Sequence, residues 1–142
     1  MENVQCASIA RTALEYLGVQ YRPILLPHGC LCFCTMTGGL TFNLFMGSEG
    51  QVSLWRFVGT ASLNSAGGRL EFCRSVAQQS MAGLEVTEEG EVRLYAQQVI
   101  CDSKTKESRI VKIICEFCAL MSDINVCLFS SKPGSTLGGE DK

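Results

Sequence analysis

The sequence predicts an α+β domain in which an antiparallel β-sheet is flanked by helices, in the order α-βββ-α-ββ-α. Alternating apolar and polar residues, the pattern of half-buried strands, occur in a group of three segments and a group of two. Short glycine-containing turns join the strands within each group, as they do in β-hairpins. Segments with helical apolar periodicity precede, separate and follow the two groups, which is typical of helices packed on an antiparallel sheet.

The first helix and a three-stranded meander occupy the N-terminal half. Residues 3–17 have an apolar face with helical spacing, and Gly18 supplies the left-handed position at which helices often end. Strands are predicted at 30–36, 40–46 and 51–58, joined by the turns TGG and GSEG. The meander is therefore expected to be antiparallel.

The C-terminal half contains a second helix, a hairpin and a third helix. The segment GGRLEFCRSVAQQSMAG predicts the second helix, which Gly83 ends. LEVT and VRLYAQQV flank the turn EEG and predict the hairpin. The third helix begins at Asp102 or Ser103, and residues 124–129 either extend it or form a closing strand.

Length and composition limit the class of protein. A chain of 142 residues has the size of one domain, predicted at 1–130, with a disordered polar tail at 131–142. Its 46% hydrophobic residues indicate a globular chain, and its net charge of −2 argues against nucleic-acid binding. Residues 23–48 carry no charge, but prolines and glycines interrupt them, so no membrane span is expected.

The cellular location is predicted from the N-terminus and the cysteines. The first residues include charges and lack the continuous apolar stretch of a secretory signal. The nine cysteines are an odd number without the spacing of a disulfide framework, which indicates a reducing compartment. We therefore expect a cytoplasmic protein.

The stretch HGCLCFC, residues 28–34, places three alternating cysteines on a strand that follows the one histidine. A two-residue Gly38-Gly39 turn pairs Phe33 with Leu44 and puts the cysteines on the face opposite the main core. The core face then consists of large side chains: Leu31, Phe33, Leu40, Phe42, Leu44, Trp55 and Phe57. A three-residue TGG turn is the alternative, and it directs all three cysteines inward.

The cysteines are interpreted as small packing residues. Same-face neighbours on a strand lie about 7 Å apart, so one tetrahedral metal ion does not reach all three, and we expect no metal. Cys115 and Cys118 lie well inside the third helix, away from the N-terminal dipole that activates redox thiols. A redox role stays open as the alternative, and its residues are Cys30, Cys32, Cys34, Cys115 and Cys118.

No catalytic residue and no cofactor are predicted. His28 follows Pro27 in a turn, and no third group is visible that would orient it toward a cysteine nucleophile. The sequence also lacks the glycine-rich phosphate-binding motifs and the G-x-S-x-G nucleophile elbow.

The element order, length and acidity resemble the type III secretion chaperone-like superfamily, and within it the YbjN-type sensory transduction regulator domains. The resemblance spans residues 8–129. It is carried by IARTALEYLGVQY, by the meander LCFCTM…LTFNLFM…VSLWRFV and most specifically by RSVAQQSMAGLEVTEEGEVRLYAQQV. YbjN-like relatives often carry asparagine near the end of the second helix, where this chain has Gln78 and Gln79.

The resemblance implies a non-enzymatic bacterial module, commonly dimeric, that binds another polypeptide. We therefore predict a chaperone-like or regulatory protein-binding domain with a client polypeptide. A homodimer is expected because residues 23–48 supply more apolar strand surface than three helices cover. The alternative is a cysteine-based redox or metal sensor. The predicted partner-binding residues share one mixed sheet face; they are Cys32, Asn43, Phe45, Leu54 and Arg56.

Overall fold

The structure is a computed structural model, and it describes residues 2–60, 69–100 and 106–129. Its three helices are α1 (Asn3–Tyr16), α2 (Arg69–Gln79) and α3 (Lys106–Phe129). Its six strands are β1 (Gln20–Leu26), β2 (Gly29–Thr35), β3 (Thr41–Gly47), β4 (Gln51–Thr60), β5 (Gly83–Val86) and β6 (Glu91–Val99).

The α+β fold class is confirmed, with one strand more than the sequence predicted. The strands form one six-stranded sheet in the order β1-β2-β3-β4-β6-β5, and the element order is α-ββββ-α-ββ-α. The additional strand is β1, with the sequence QYRPILL. It lies at the sheet edge, and most of its residues are exposed on both faces, so it lacks the alternation that marks a half-buried strand.

The predicted two-residue Gly38-Gly39 turn is wrong, and the register of β2 against β3 differs by one residue. Phe33 pairs with Asn43, where the sequence predicted Leu44. Met36 N donates to Leu40 O at 2.8 Å, so the turn between them contains three residues. This is the TGG alternative, and it reverses which side chains face the core.

All three hairpin turns after β2 follow one pattern, in which a three-residue loop ends in glycine. The loops are TGG, SEG and EEG, and their last residues Gly39, Gly50 and Gly90 have φ values of 94°, 89° and 84°. A left-handed glycine at this position is the G1 bulge that completes such a loop. The second loop is therefore SEG and not the predicted four-residue GSEG.

The register determines the outcome for the predicted core face. Phe42 and Leu44 are buried as predicted. Phe33 and Phe57 are exposed, and Leu31 and Trp55 are only half-buried, so these four do not belong to the core. The buried residues of β2 to β4 are instead Cys30, Cys32, Cys34, Phe42, Leu44, Met46, Val52, Leu54 and Val58.

The helix ends agree with the sequence in α1 and differ in α2. Gly18, at φ 72°, follows α1 as predicted. The second helix ends earlier than Gly83, because Met81 takes the left-handed position with φ 60° and Ala82 N donates to Ala77 O at 2.9 Å. Residues 124–129 extend α3, and the predicted start of this helix lies outside the described residues.

The contacts of the chain group into two units. The first, Met1–Arg56 with Tyr95–Ala119, packs α1 against β1, β2 and β3. Small residues on α1 are buried toward this sheet, among them Cys6, Ala10 and Ala13. Between β3 and α3, the Phe42 and Phe117 rings pack at 5.9 Å between centroids with a tilt of 57°.

The second unit, Phe57–Leu94 with Leu120–Lys142, packs α2 against β5. Arg74 Nε donates to the carbonyl of Leu84 at 3.4 Å, and Arg74 also forms an ion pair with Glu71 at 2.5 Å. The predicted single domain at 1–130 stays a prediction, and the predicted tail at 131–142 lies outside the described residues.

Candidate functional site: the outer sheet face

The three-residue turns place two rows of side chains on the solvent side of the first unit. One row is Arg22, Phe33, Asn43 and Trp55, each opposite the next across neighbouring strands. The second row is Ile24, Leu31, Phe45 and Ser53, paired in the same way. We call these two rows the outer face.

The outer face is apolar, half-open and nearly free of charge. Phe33 is 39% exposed and Ile24 is exposed, while Leu31, Phe45 and Trp55 are half-buried. Its one formal charge, Arg22, lies over the Phe33 ring with its guanidinium carbon 5.7 Å from the centroid. An aromatic and aliphatic surface of this kind, left uncovered in the described part of the first unit, is typical of a site that binds another molecule.

Polar groups along the two rows add hydrogen-bonding capacity. Asn43 lies between Phe33 and Trp55, and the Ser53 hydroxyl accepts a bond of 3.3 Å from Gln97 Nε2 on β6. Amide and hydroxyl groups among aromatic residues are common in surfaces that form separable complexes. The outer face therefore has the chemistry of a reversible protein-binding surface.

The structure does not bring the five predicted partner-binding residues to one surface. Asn43 and Phe45 lie on the outer face, and their role in partner binding stays a prediction. Cys32 and Leu54 are each 1% exposed, since the one-residue change of register moves them into the core. Arg56 is half-buried, and its Nη1 donates to the carbonyl oxygen of Thr41 at 2.7 Å.

Sequence reasoning missed two kinds of outer-face residue. Arg22 and Ile24 belong to β1, the strand that was not predicted. Phe33 and Trp55 were placed in the core because they are large. The three-residue TGG turn places Phe33 on the outer face, and the three-residue SEG turn places Trp55 there.

The cysteines of β2 are buried thiols in an apolar environment. Cys30 and Cys32 Sγ lie 3.9 Å apart, and Cys34 Sγ donates to the Cys32 carbonyl at 3.7 Å. Burial, with smaller effects from neighbouring thiols, raises the pKa of Cys32 and raises that of Cys34 to about 12. These thiols therefore stay protonated at neutral pH, which disfavours nucleophilic and redox chemistry.

The Cys115–Cys118 pair is divided between surface and core. Cys118 is buried, and burial together with the nearby Cys115 raises its pKa to about 11. Cys115 is exposed, so the predicted core packing is wrong for this residue. It lies on the outward side of α3, three residues before Cys118.

Three further features of the described residues concern catalytic, metal-binding and membrane roles. His28 is exposed in the turn between β1 and β2. Within residues 2–60, 69–100 and 106–129, no three histidine, cysteine or acidic side chains are grouped to hold a metal ion. In the same residues, no helix is both long and apolar enough to cross a membrane.

Comparison with solved structures identifies the fold. A chain of the HopA1-SchA chaperone-effector complex superposes with a TM-score of 0.59 at 14% identity, covering 87% of this chain and 94% of that one. The chain has the fold of the type III secretion chaperones. At this level of identity the likeness establishes the architecture alone.

Two further solved structures share this architecture. A chain of the ExsC-ExsE complex gives a TM-score of 0.55 at 12% identity, over 92% of this chain and 100% of that one. A chain from the complex of the Yersinia pestis type III secretion chaperone SycH with a stable fragment of YscM2 gives 0.55 at 13% identity, covering 85% and 97%.

The sequence comparisons add no family. No family model matches the chain, and no curated protein matches it. The secretion chaperone-like fold predicted from the sequence is therefore confirmed by structure, and the closer resemblance to the YbjN-type domains stays a prediction.

Proposed function

We propose that this chain is a non-enzymatic, chaperone-like module that binds a partner polypeptide on the outer face. The observation that carries the proposal is the pair of cross-strand rows in which Phe33 is exposed and Phe45 and Trp55 are half-buried. The three solved structures compared above come from complexes with other polypeptides, which supports a polypeptide as the occupant.

The chemistry of the outer face favours an extended apolar segment. Neighbouring strands lie about 4.8 Å apart, so the two rows form a shallow surface on which alternate side chains of a bound segment pack. The aromatic rings supply the apolar contact area, and Asn43 offers both a donor and an acceptor to the segment's backbone.

A selection from a random-peptide display library tests the proposal. We expect the wild-type chain to enrich peptides rich in apolar residues, and we expect Phe45→Asp to abolish the enrichment because a buried carboxylate opposes apolar packing. Val4→Asp is the matched control, since Val4 is exposed on α1 and lies away from the sheet rows. Equal enrichment by the wild type and Phe45→Asp would contradict the proposed surface.

A homodimer is the second part of the proposal, and we assign it to the second unit. Phe72 and Met81 at α2 and Val86 on β5 are exposed apolar side chains. β5 is a sheet edge, and an edge strand can pair with its own copy across a two-fold axis. Light scattering should give a dimer mass for the wild type and a monomer mass for Phe72→Asp. A monomer mass for the wild type would contradict the proposed homodimer.

We also propose a cytoplasmic location. The described cysteines are thiols, six of them buried in apolar packing. Thiols in this number persist in a reducing compartment. Fractionation of the native host, with the chain followed by antibody, tests the location.

A further inference from the structure

Arg22 carries the one formal charge of the outer face, and its guanidinium lies within the surface proposed to bind the partner. Arg22 is opposite Phe33 across the β1–β2 ladder, so both side chains project to the same side of the sheet. The guanidinium carbon lies 5.7 Å from the centroid of the Phe33 ring. A segment that packs on Phe33 therefore also contacts Arg22.

Arg22 has no carboxylate partner within residues 2–60, 69–100 and 106–129. Arg74 pairs with Glu71, and Arg93 pairs with Glu85. Arg22 instead contacts the Phe33 ring, and its N–H groups make no hydrogen bond in that part of the chain. An arginine over a ring face keeps these N–H groups available to an acceptor.

A bound apolar segment changes the solvation of Arg22. In the free protein Arg22 is exposed, so water hydrates its N–H groups. A segment that packs on the Phe33 ring displaces part of this water, and an unpaired charge against apolar groups costs free energy. A carboxylate on the segment replaces the lost water and matches the guanidinium in a bidentate pair.

The charges around Arg22 favour a single carboxylate over a polyanion. Residues 23–48 contribute no charge, so no second cation from this stretch lies beside Arg22. Arg56 follows Trp55 on β4, and strand alternation directs it to the opposite face of the sheet. Phosphate and nucleic-acid sites gather several cations, whereas one isolated arginine suits one aspartate or glutamate.

We propose that Arg22 pairs with an aspartate or glutamate side chain of the partner segment, a role that rests on the proposed function. Arg22 begins its row on the edge strand β1, and Trp55 ends the same row on β4. Three strand spacings of about 4.8 Å separate the two residues by roughly 14 Å, the length of about four extended residues. The acidic residue therefore lies at one end of the apolar stretch and not within it.

The peptide selection tests this with four forms of the full chain: wild type, Arg22→Gln, Arg22→Glu and the control Arg11→Gln. The wild type should enrich peptides with one acidic residue at one end of the apolar residues. Arg22→Gln should keep the apolar preference and lose the acidic one. Arg22→Glu should instead select lysine or arginine at that end, because its charge is reversed. Arg11 is exposed on α1, so Arg11→Gln makes the same change of net charge away from the two rows and should keep the acidic preference.

The affinity of one selected peptide measures the proposed pair directly. The peptide should bind about tenfold more weakly to Arg22→Gln than to the wild type, the range for loss of a charge-assisted hydrogen bond. The same peptide with its acidic residue changed to the amide should bind the two forms equally, because the pair is then absent from both. An equal tenfold loss with the amide peptide would contradict a pair between Arg22 and the carboxylate.

The outcomes separate this inference from the proposed function. Apolar enrichment without an acidic preference, or an acidic preference that persists in Arg22→Gln, would overturn the role of Arg22 and leave the outer face standing. An acidic preference lost in Arg11→Gln would assign it to net charge and also overturn that role. No enrichment by the wild type would overturn both proposals. A basic preference gained by Arg22→Glu supports the pair and does not arise from a folding defect.

A second measurement asks whether a carboxylate of this chain pairs with Arg22. Asp102, Glu140 and Asp141 lie outside the described residues, and each is changed to its amide in the full chain. The Arg22 Nε–Hε NMR signal of the free protein should be the same in all three variants, and a selected acidic peptide should shift it. A change of that signal in any of the variants would assign Arg22 to the chain itself and overturn the proposal.

Discussion

Cys34 lies directly opposite Phe42 across the β2–β3 ladder, and both side chains are buried. This pair fixes which residues of the meander face the helices. Phe42 also packs on Phe117 of α3, so the inner face of the sheet is joined to the helix through this aromatic contact. Phe33, the neighbour of Cys34 in sequence, faces solvent instead.

We expect Phe42→Ala to destabilise the protein by about 3–5 kcal/mol and Phe33→Ala by less than about 1 kcal/mol. Removal of the Phe42 ring leaves a cavity beside Phe117, whereas removal of the exposed Phe33 ring leaves none. Urea unfolding of the two variants measures the difference. A larger loss in Phe33→Ala than in Phe42→Ala would contradict the three-residue turn.

Cys32 provides a test of buried thiol packing. Cys32→Ala should cost on the order of 1 kcal/mol through lost contacts, and Cys32→Ser should cost more because its hydroxyl enters an apolar site. Cys115→Ser, at an exposed position, is the control and should leave stability unchanged. Denaturant midpoints compare the three. If Cys32→Ser were as stable as Cys32→Ala, the site would be polar.

Alkaline pH should destabilise the fold through the buried thiols. The pKa of Cys34 is raised to about 12 and that of Cys118 to about 11, while an unfolded thiol has a pKa of about 8.5. The unfolded chain releases protons first, so the stability that these thiols provide is complete below pH 8.5 and is lost as pH rises through their folded pKa values. Each thiol should contribute a slope of about −1.4 kcal/mol per pH unit between these limits.

Unfolding free energies measured between pH 8 and pH 11 test the alkaline effect. The upper limit lies about two pH units above the pKa of an ordinary thiol. Cys34→Ala serves as the comparison, since it retains the lysines and tyrosines and removes one thiol. The unfolding free energy of Cys34→Ala should fall less steeply with pH, by about 1.4 kcal/mol per pH unit, because one buried thiol is missing. Identical slopes would show that Cys34 ionises normally in the folded protein.

Alkylation at neutral pH should distinguish Cys115 from the other described cysteines. Cys115 is exposed, and the six others are buried. Iodoacetamide treatment of the folded protein, followed by peptide mass spectrometry, should label Cys115 first among these seven, because the reaction requires an accessible thiolate. Faster labelling of Cys30 or Cys32 would contradict their burial and revive the redox interpretation.

Met81→Gly should stabilise the protein by about 1 kcal/mol, because Met81 has φ 60° and a non-glycine residue is strained in the left-handed region. Met81 is 81% exposed, so its side chain contributes little packing within the described structure. Met81→Ala keeps the Cβ and should give no such gain. Thermal unfolding at a fixed protein concentration compares the variants, since the proposed dimer would involve this residue.

The sequence by itself determined the features that depend on local patterns. Apolar periodicity predicted the three helices and five of the six strands, and Gly18 marked the end of α1. The class of fold followed from the order of these elements. Each of these features depends on residues close together in the chain, and their chemistry is readable without tertiary contacts.

The tertiary structure alone decided β1, the register and the composition of the outer face. β1 is an edge strand exposed on both faces, so no alternation marks it. TGG permits both a two-residue and a three-residue turn, and local propensity does not choose between them. Packing of Phe42 on Phe117 and of small α1 residues on β2 favours the cysteines inside. Because strand side chains alternate, the three-residue TGG loop moved Phe33 outward and Cys32 inward, and the three-residue SEG loop moved Trp55 outward and Leu54 inward.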